Sequence, residues 1–148
     1  MSYTTSLVYN VFLVTWRVPQ RGDSAAILNE LRGVHEGRKP DDPPLVYIAT
    51  VPSASAPPDD ATRDEMTKAI PLTLEYCARV YLVIEGKGLR HAMIRSIATG
   101  MFLITGKRGK VSAYATLFDA LVAAPLSAPA KVVLLAAQKA GHGVSPEV

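Results

Sequence analysis

Cysteine is almost absent. Cys77 is the only one in 148 residues, which excludes a disulfide framework within the chain and any metal site built on cysteines. Histidine is scarce as well: His35, His91 and His142 share no i, i+4 spacing and no cluster of ligand-type neighbours, so no metal is expected. Charged residues make up 20% of the chain, and sixteen Lys and Arg against thirteen Asp and Glu leave a net +3, too small an imbalance to imply nucleic acid. No apolar run reaches membrane-spanning length. Leu7–Val18 is interrupted by Asn10, Thr15, Trp16 and Arg17, and residues 94–104 by Arg95, Ser96, Thr99 and Gly100. No basic leader precedes the first of these runs. The expectation is a soluble cytoplasmic protein with no membrane insertion, in which a lone thiol stays reduced.

What is present is apolar material, 49% of the residues, enough for the core of one compact domain and incompatible with intrinsic disorder. Its spacing alternates between two periods. Residues 8–16, rich in β-branched and aromatic side chains, read as one strand. Ile27, Leu28, Leu31 and Val34 recur at helical spacing over 24–36, with Asp23 as the expected N-cap. Leu45–Val51 is a near-continuous apolar run of the kind buried on both faces of a sheet. A second helix is predicted over 61–77 from Met66, Ile70, Leu74 and Cys77, opened by a Thr62/Glu65 capping box and kinked at Pro71. Strands at 80–84 and 111–116 flank a third helix on which Leu89, Met93, Ile97 and Met101 share one face. A short helix begins at Leu117, and a last one is capped by Ser127 and ends at Gly141. The alternation predicts an α/β fold: a single domain with a mainly parallel or mixed sheet of four to five strands and alternating helices. Its boundaries are read as 1–126, with 127–148 an appended C-terminal helix and flexible tail.

Few residues carry chemistry. The turn Gly86-Lys87-Gly88-Leu89-Arg90, between a strand and a helix, has half of a phosphate-binding loop, but His91 stands where a third glycine would be, so it is neither a dinucleotide fingerprint nor a Walker loop. Six cations lie between Gly86 and Phe118 (Lys87, Arg90, Arg95, Lys107, Arg108 and Lys110) with no Asp or Glu among them. Two readings are open: an ordinary solvated face, or a basic surface for an acidic partner formed by Lys87, Gly88, Arg90, His91 and Arg95. Phe102 either joins that surface or is covered by the C-terminal helix. There is no Gly-x-Ser-x-Gly elbow; Cys77 sits on an apolar helix face where a thiol is inert, and His35 is expected as a packed core residue. The paired carboxylates Asp41/Asp42 and Asp59/Asp60 fall in Pro-rich loops. No enzyme and no cofactor is expected.

Two stretches resemble the STAS domain, the module of anti-sigma-factor antagonists and of sulfate-transporter tails. One runs from Tyr9 to Val51 as strand, polar loop, helix and buried strand. The other is Val80-Tyr81-Leu82-Val83-Ile84 followed by Gly88-Leu89-Arg90, and it continues to Thr116 and Leu117-Phe118-Asp119-Ala120-Leu121. The resemblance implies a phosphorylatable Asp-Ser-Ser-Gly-like loop opening the helix after the second strand. Here Ser53-Ala54-Ser55-Ala56-Pro57-Pro58 stands there, leaving Ser53 and Ser55 as the candidate phosphorylation sites. The family's N-terminal strand is expected to be missing or reduced to Ser2–Ser6. The function so implied is a non-enzymatic, STAS-like protein-interaction module in bacterial-type signalling, its partner acidic at the contact; a homodimer is compatible with it. The alternative is a domain binding a small ligand or an anion such as a nucleotide or phosphate, through Gly86–Arg90 and the loop at Ser53–Asp60, at the carboxyl ends of the strands.

Overall fold

A turn that carries no glycine or proline sets the architecture. The expected strand over 8–16 is two strands, β1 (Tyr3–Val8) and β2 (Val11–Trp16), paired antiparallel with Val8 opposite Val11. The break falls at Tyr9, which adopts a left-handed φ of 54°, and at Asn10. Asn10 is 1% exposed, and its carboxamide is fully engaged. Nδ2 donates to the carbonyls of Pro44 and Pro125, each at 2.9 Å, and Oδ1 accepts from the Ser127 amide at 2.9 Å. A full strand of six residues therefore lies where the sequence leaves one missing or reduced to Ser2–Ser6.

The computed structural model describes residues 2–55, 57–86 and 110–142, together with Ala92, Met93, Arg95, Ser96 and Gly100. Beyond the hairpin come α1 (Asp23–Glu36), β3 (Val46–Val51), α2 (Asp60–Tyr76), β4 (Arg79–Ile84), β5 (Val111–Tyr114), α3 (Leu117–Ala123) and α4 (Ala130–Lys139). The strands lie in chain order, β1-β2-β3-β4-β5, and all neighbours after the hairpin are parallel. The chain is thus a single α/β domain built on a five-stranded mixed sheet.

Both faces of the sheet are apolar, because successive side chains of a strand point to opposite sides. Phe12, Val14 and Trp16 of β2, Ala49 and Val51 of β3 and Ile84 of β4 pack with Ile27 and Leu31 of α1. Val11, Leu13, Val46, Ile48, Tyr81 and Val83 point the other way, against Leu117, Ala120 and Leu121 of α3 and Val133 and Ala137 of α4. Helix α4, which the sequence presents as an appendage, lies on the sheet with Val133 and Ala137 at 0% exposure. Burying a valine side chain contributes roughly 1.5–3 kcal/mol and an alanine methyl less, so this helix is a substantial part of the second face.

Helix ends depart from the sequence reading in consistent ways. The N-cap of α1 is Gly22, at φ 87°, while the Asp23 carboxylate accepts from the Gln20 amide at 2.9 Å. Asp59, and not Thr62, caps α2, with its Oδ1 accepting from the Thr62 amide at 2.8 Å. Glu65 leaves the expected capping box to accept from the Gly22 amide at 3.1 Å, tying α2 to the start of α1. The most buried side chains of α2 are Thr62 and Thr73, with Met66 only partly covered, and the Thr73 hydroxyl donates to the Ala69 carbonyl. Helix α4 starts after Pro129 with no side-chain cap, and the Ser127 amide donates to Asn10 Oδ1 instead. Gly141, at φ 94°, reverses the chain behind α4 while the His142 amide bonds the Ala137 carbonyl at 2.9 Å, as at a left-handed helix end. The predicted helix carrying Leu89 to Met101, and Phe102 with it, lies largely outside the described residues.

That reversal buries His142. Its ring is 0% exposed, with Nδ1 2.6 Å from the Thr15 hydroxyl and Nε2 2.9 Å from the Ser6 hydroxyl. Burial, aided by the Arg17 charge, holds the imidazole below its ordinary value of 6.5. Above that value neither folded nor unfolded imidazole carries the proton, and its contribution to stability is complete. As the pH falls below it, the unfolded chain takes up a proton that the buried ring resists, so stability is lost. Urea unfolding from about pH 8 to about pH 5 will show this loss beginning near 6.5, and a His142→Gln variant, weaker at the alkaline end, will show a shallower slope. Separately, Asn10→Ala strands two buried carbonyls and an amide, and should cost about 2–4 kcal/mol in the same assay.

Candidate functional site

The parallel strands β2, β3 and β4 all end on the same edge, where their last side chains and following loops enclose a cleft of about 380 Å³. Thr15, Trp16, Arg17 and Val18 supply one side, Thr50 and Pro52–Ser55 another, and Glu85 and Gly141 close it. The register explains the meeting of the threonines: Thr15 pairs with Thr50, and Thr50 with Val83, so the two hydroxyls stand side by side on the face that carries α3 and α4.

Their bonding differs. The Thr15 hydroxyl is engaged by His142, whereas Thr50 Oγ1, in a residue 1% exposed, has no hydrogen-bond partner among the described residues. A buried hydroxyl without a partner costs free energy that a second polar group in the cleft would recover. Glu85 is the other unusual group. Its backbone amide donates to the Val51 carbonyl at 3.0 Å, which fixes its backbone beside the end of β3, and desolvation raises its carboxyl above its ordinary value.

The candidate residues from sequence distribute unevenly over this edge. Ser53 is exposed in the turn after β3. Ser55 is 2% exposed, its hydroxyl donating to the Arg17 carbonyl at 2.6 Å, so it fastens the β3–α2 loop to the end of β2. Arg95 is exposed, and its guanidinium lies 3.5 Å from the Ile84 carbonyl, beside Glu85. Lys87, Gly88, Arg90 and His91 lie outside the described residues. The sequence alone gives Thr15, Thr50, Glu85 and His142 no place in a site; the only trace of the first two is a hydroxyl interrupting an otherwise apolar strand near its carboxyl end.

Other sites offer less. A second cleft at the opposite edge borders Cys77, whose thiol is buried as expected and pushed up to about 12, which leaves it protonated and unreactive. His35 corrects its expectation as a core residue: it is exposed at the end of α1, its ring 5.2 Å from that of Tyr76. Among the described residues no group of three His, Cys, Asp or Glu is placed to hold a metal ion, and no helix is long and apolar enough to cross a membrane. No protein-family model matches the chain, and neither does any curated protein or solved structure.

The two threonines yield a paired expectation. Thr15→Val removes a partner of a buried imidazole and should destabilise by about 1–3 kcal/mol. Thr50→Val removes an unsatisfied hydroxyl at nearly constant volume and should be neutral or stabilising. Equilibrium urea unfolding of both variants distinguishes them.

Proposed function

We propose that the chain is a non-enzymatic, STAS-like interaction module of bacterial-type cytoplasmic signalling, which binds an acidic protein partner through the edge where β2, β3 and β4 end. The observation that carries this reading is β1. It lies at Tyr3–Val8, where the resemblance implies an N-terminal strand that the sequence leaves missing or reduced to Ser2–Ser6. The loop from Pro52 to Asp59 likewise joins β3 to α2 in the position of the family's phosphorylatable loop, and of its two serines only Ser53 presents an exposed side chain. Arg17 and Arg95 stand exposed at the same edge, and the sequence adds Lys87 and Arg90 directly after β4. Contacts to exposed cations contribute only about 0.2–1 kcal/mol each until a partner desolvates them, so the surface acts by accumulation.

A second reading, a small-ligand site in the cleft, is favoured by one observation: the unpartnered hydroxyl of Thr50.

For the first reading, the partner is captured from extract of the source cell and its affinity then measured with purified components. Arg95→Glu combined with Arg90→Glu should weaken binding several-fold or more with little change in melting temperature. The difference should shrink as salt rises, since screening removes exposed charge attraction first. Equal affinity of the reversed-charge protein at low salt would falsify the basic-surface reading.

A further inference from the structure

We propose that the cleft at the carboxyl ends of β2, β3 and β4 binds a small neutral polyhydroxy molecule of about monosaccharide size, with the Glu85 carboxylate accepting from its hydroxyls and the Thr50 hydroxyl bonding it from the floor. The inference rests on the small-ligand reading above and gives that ligand a chemistry.

Size is the first constraint. At about 380 Å³ the cleft lies at the small end of ligand cavities, which run from roughly 300 to 1,000 Å³. Charge is the second. The Glu85 carboxylate, when ionised, repels an anion that enters the cleft beside it. A cation meets Arg17 in the cleft wall and Arg95 beside the end of β4, in a chain of net charge +3. A neutral ligand avoids both conflicts.

Hydrogen bonding supplies the third constraint. An ionised carboxylate accepts only, through two oxygens, and adjacent hydroxyls on one ligand can donate to both. Thr50 Oγ1 can donate and accept, no described residue uses either capacity, and a small opening of the cleft brings this buried oxygen within reach of a ligand hydroxyl. Pro52, Ala54 and Val18 provide apolar wall on which the carbon face of such a ligand can lie. His142 enters indirectly. By occupying the Thr15 hydroxyl it leaves Thr50 as the free one of the pair, and Gly141 beside it brings backbone, without a side chain, to the cleft wall.

The test is a heteronuclear NMR titration of the full chain with D-ribose and with myo-inositol, and in separate arms with inorganic phosphate and with n-butylammonium chloride. Saturable shifts of the Thr50, Ser53 and Glu85 amides are expected with at least one of the polyols. Glu85→Gln should weaken that affinity about tenfold or more, as for loss of a charged acceptor. Thr50→Val should weaken it several-fold while leaving the melting temperature unchanged or higher, which separates a lost contact from a damaged fold. If phosphate or butylammonium saturates the same amides and the polyols do not, the polyhydroxy assignment is wrong and the ligand reading survives. Silence in all arms overturns both. Unchanged polyol affinity in the Glu85→Gln protein overturns the assignment by itself.

Discussion

The carboxamide of Asn10 has two donors and an acceptor to place, and each finds a different piece of backbone. Pro44 precedes β3; Pro125 and Ser127 lie in the link between α3 and α4. The Asn10 carbonyl also accepts from the Val46 amide at 2.9 Å, which starts the β2–β3 ladder. One residue in a two-residue turn therefore joins the hairpin, the central strand and the helical pair that covers the second face. The parallel register follows from that anchoring, and the register in turn brings Thr15 level with Thr50 at the opposite edge. The cleft is a distant result of a constraint at the other end of the strands.

Much of this arrangement was legible from local pattern. β3 and β4 read directly from apolar runs with proline, glycine or charge at their limits, and α1 from its helical spacing. These signals are carried by neighbours in sequence and need no tertiary partner. The turn at Tyr9–Asn10 was hidden because its cause is not local: the side-chain partners of Asn10 are 34, 115 and 117 residues away. The helix caps shifted for a similar reason, with Glu65 drawn to Gly22 across 43 residues.

The site divides along the same line. Basic residues and loop serines were visible by type and by crowding, and of these Ser53 lies in the loop after β3 and Arg95 beside the end of β4. Thr50 and Glu85 were invisible because one hydroxyl and one carboxylate acquire meaning only from what surrounds them. Thr50 matters because it lacks a partner, Glu85 because it is partly desolvated. Neither condition leaves a pattern along the chain. Likewise His142, one of three scattered histidines in sequence, gained its role from two hydroxyls 127 and 136 residues earlier.

The order in which the two faces of the sheet are covered bears on synthesis. Helices α1 and α2 alternate with the strands, so one face can be clothed as the ribosome extends the chain. The other face, with Val11, Leu13, Val46, Ile48, Tyr81 and Val83, receives α3 and α4 only after Leu117 has emerged. At about 5–20 residues per second, the nascent protein spends seconds with a finished sheet that is greasy on one side. That face is closed only once α4 and the His142 behind it have been synthesised.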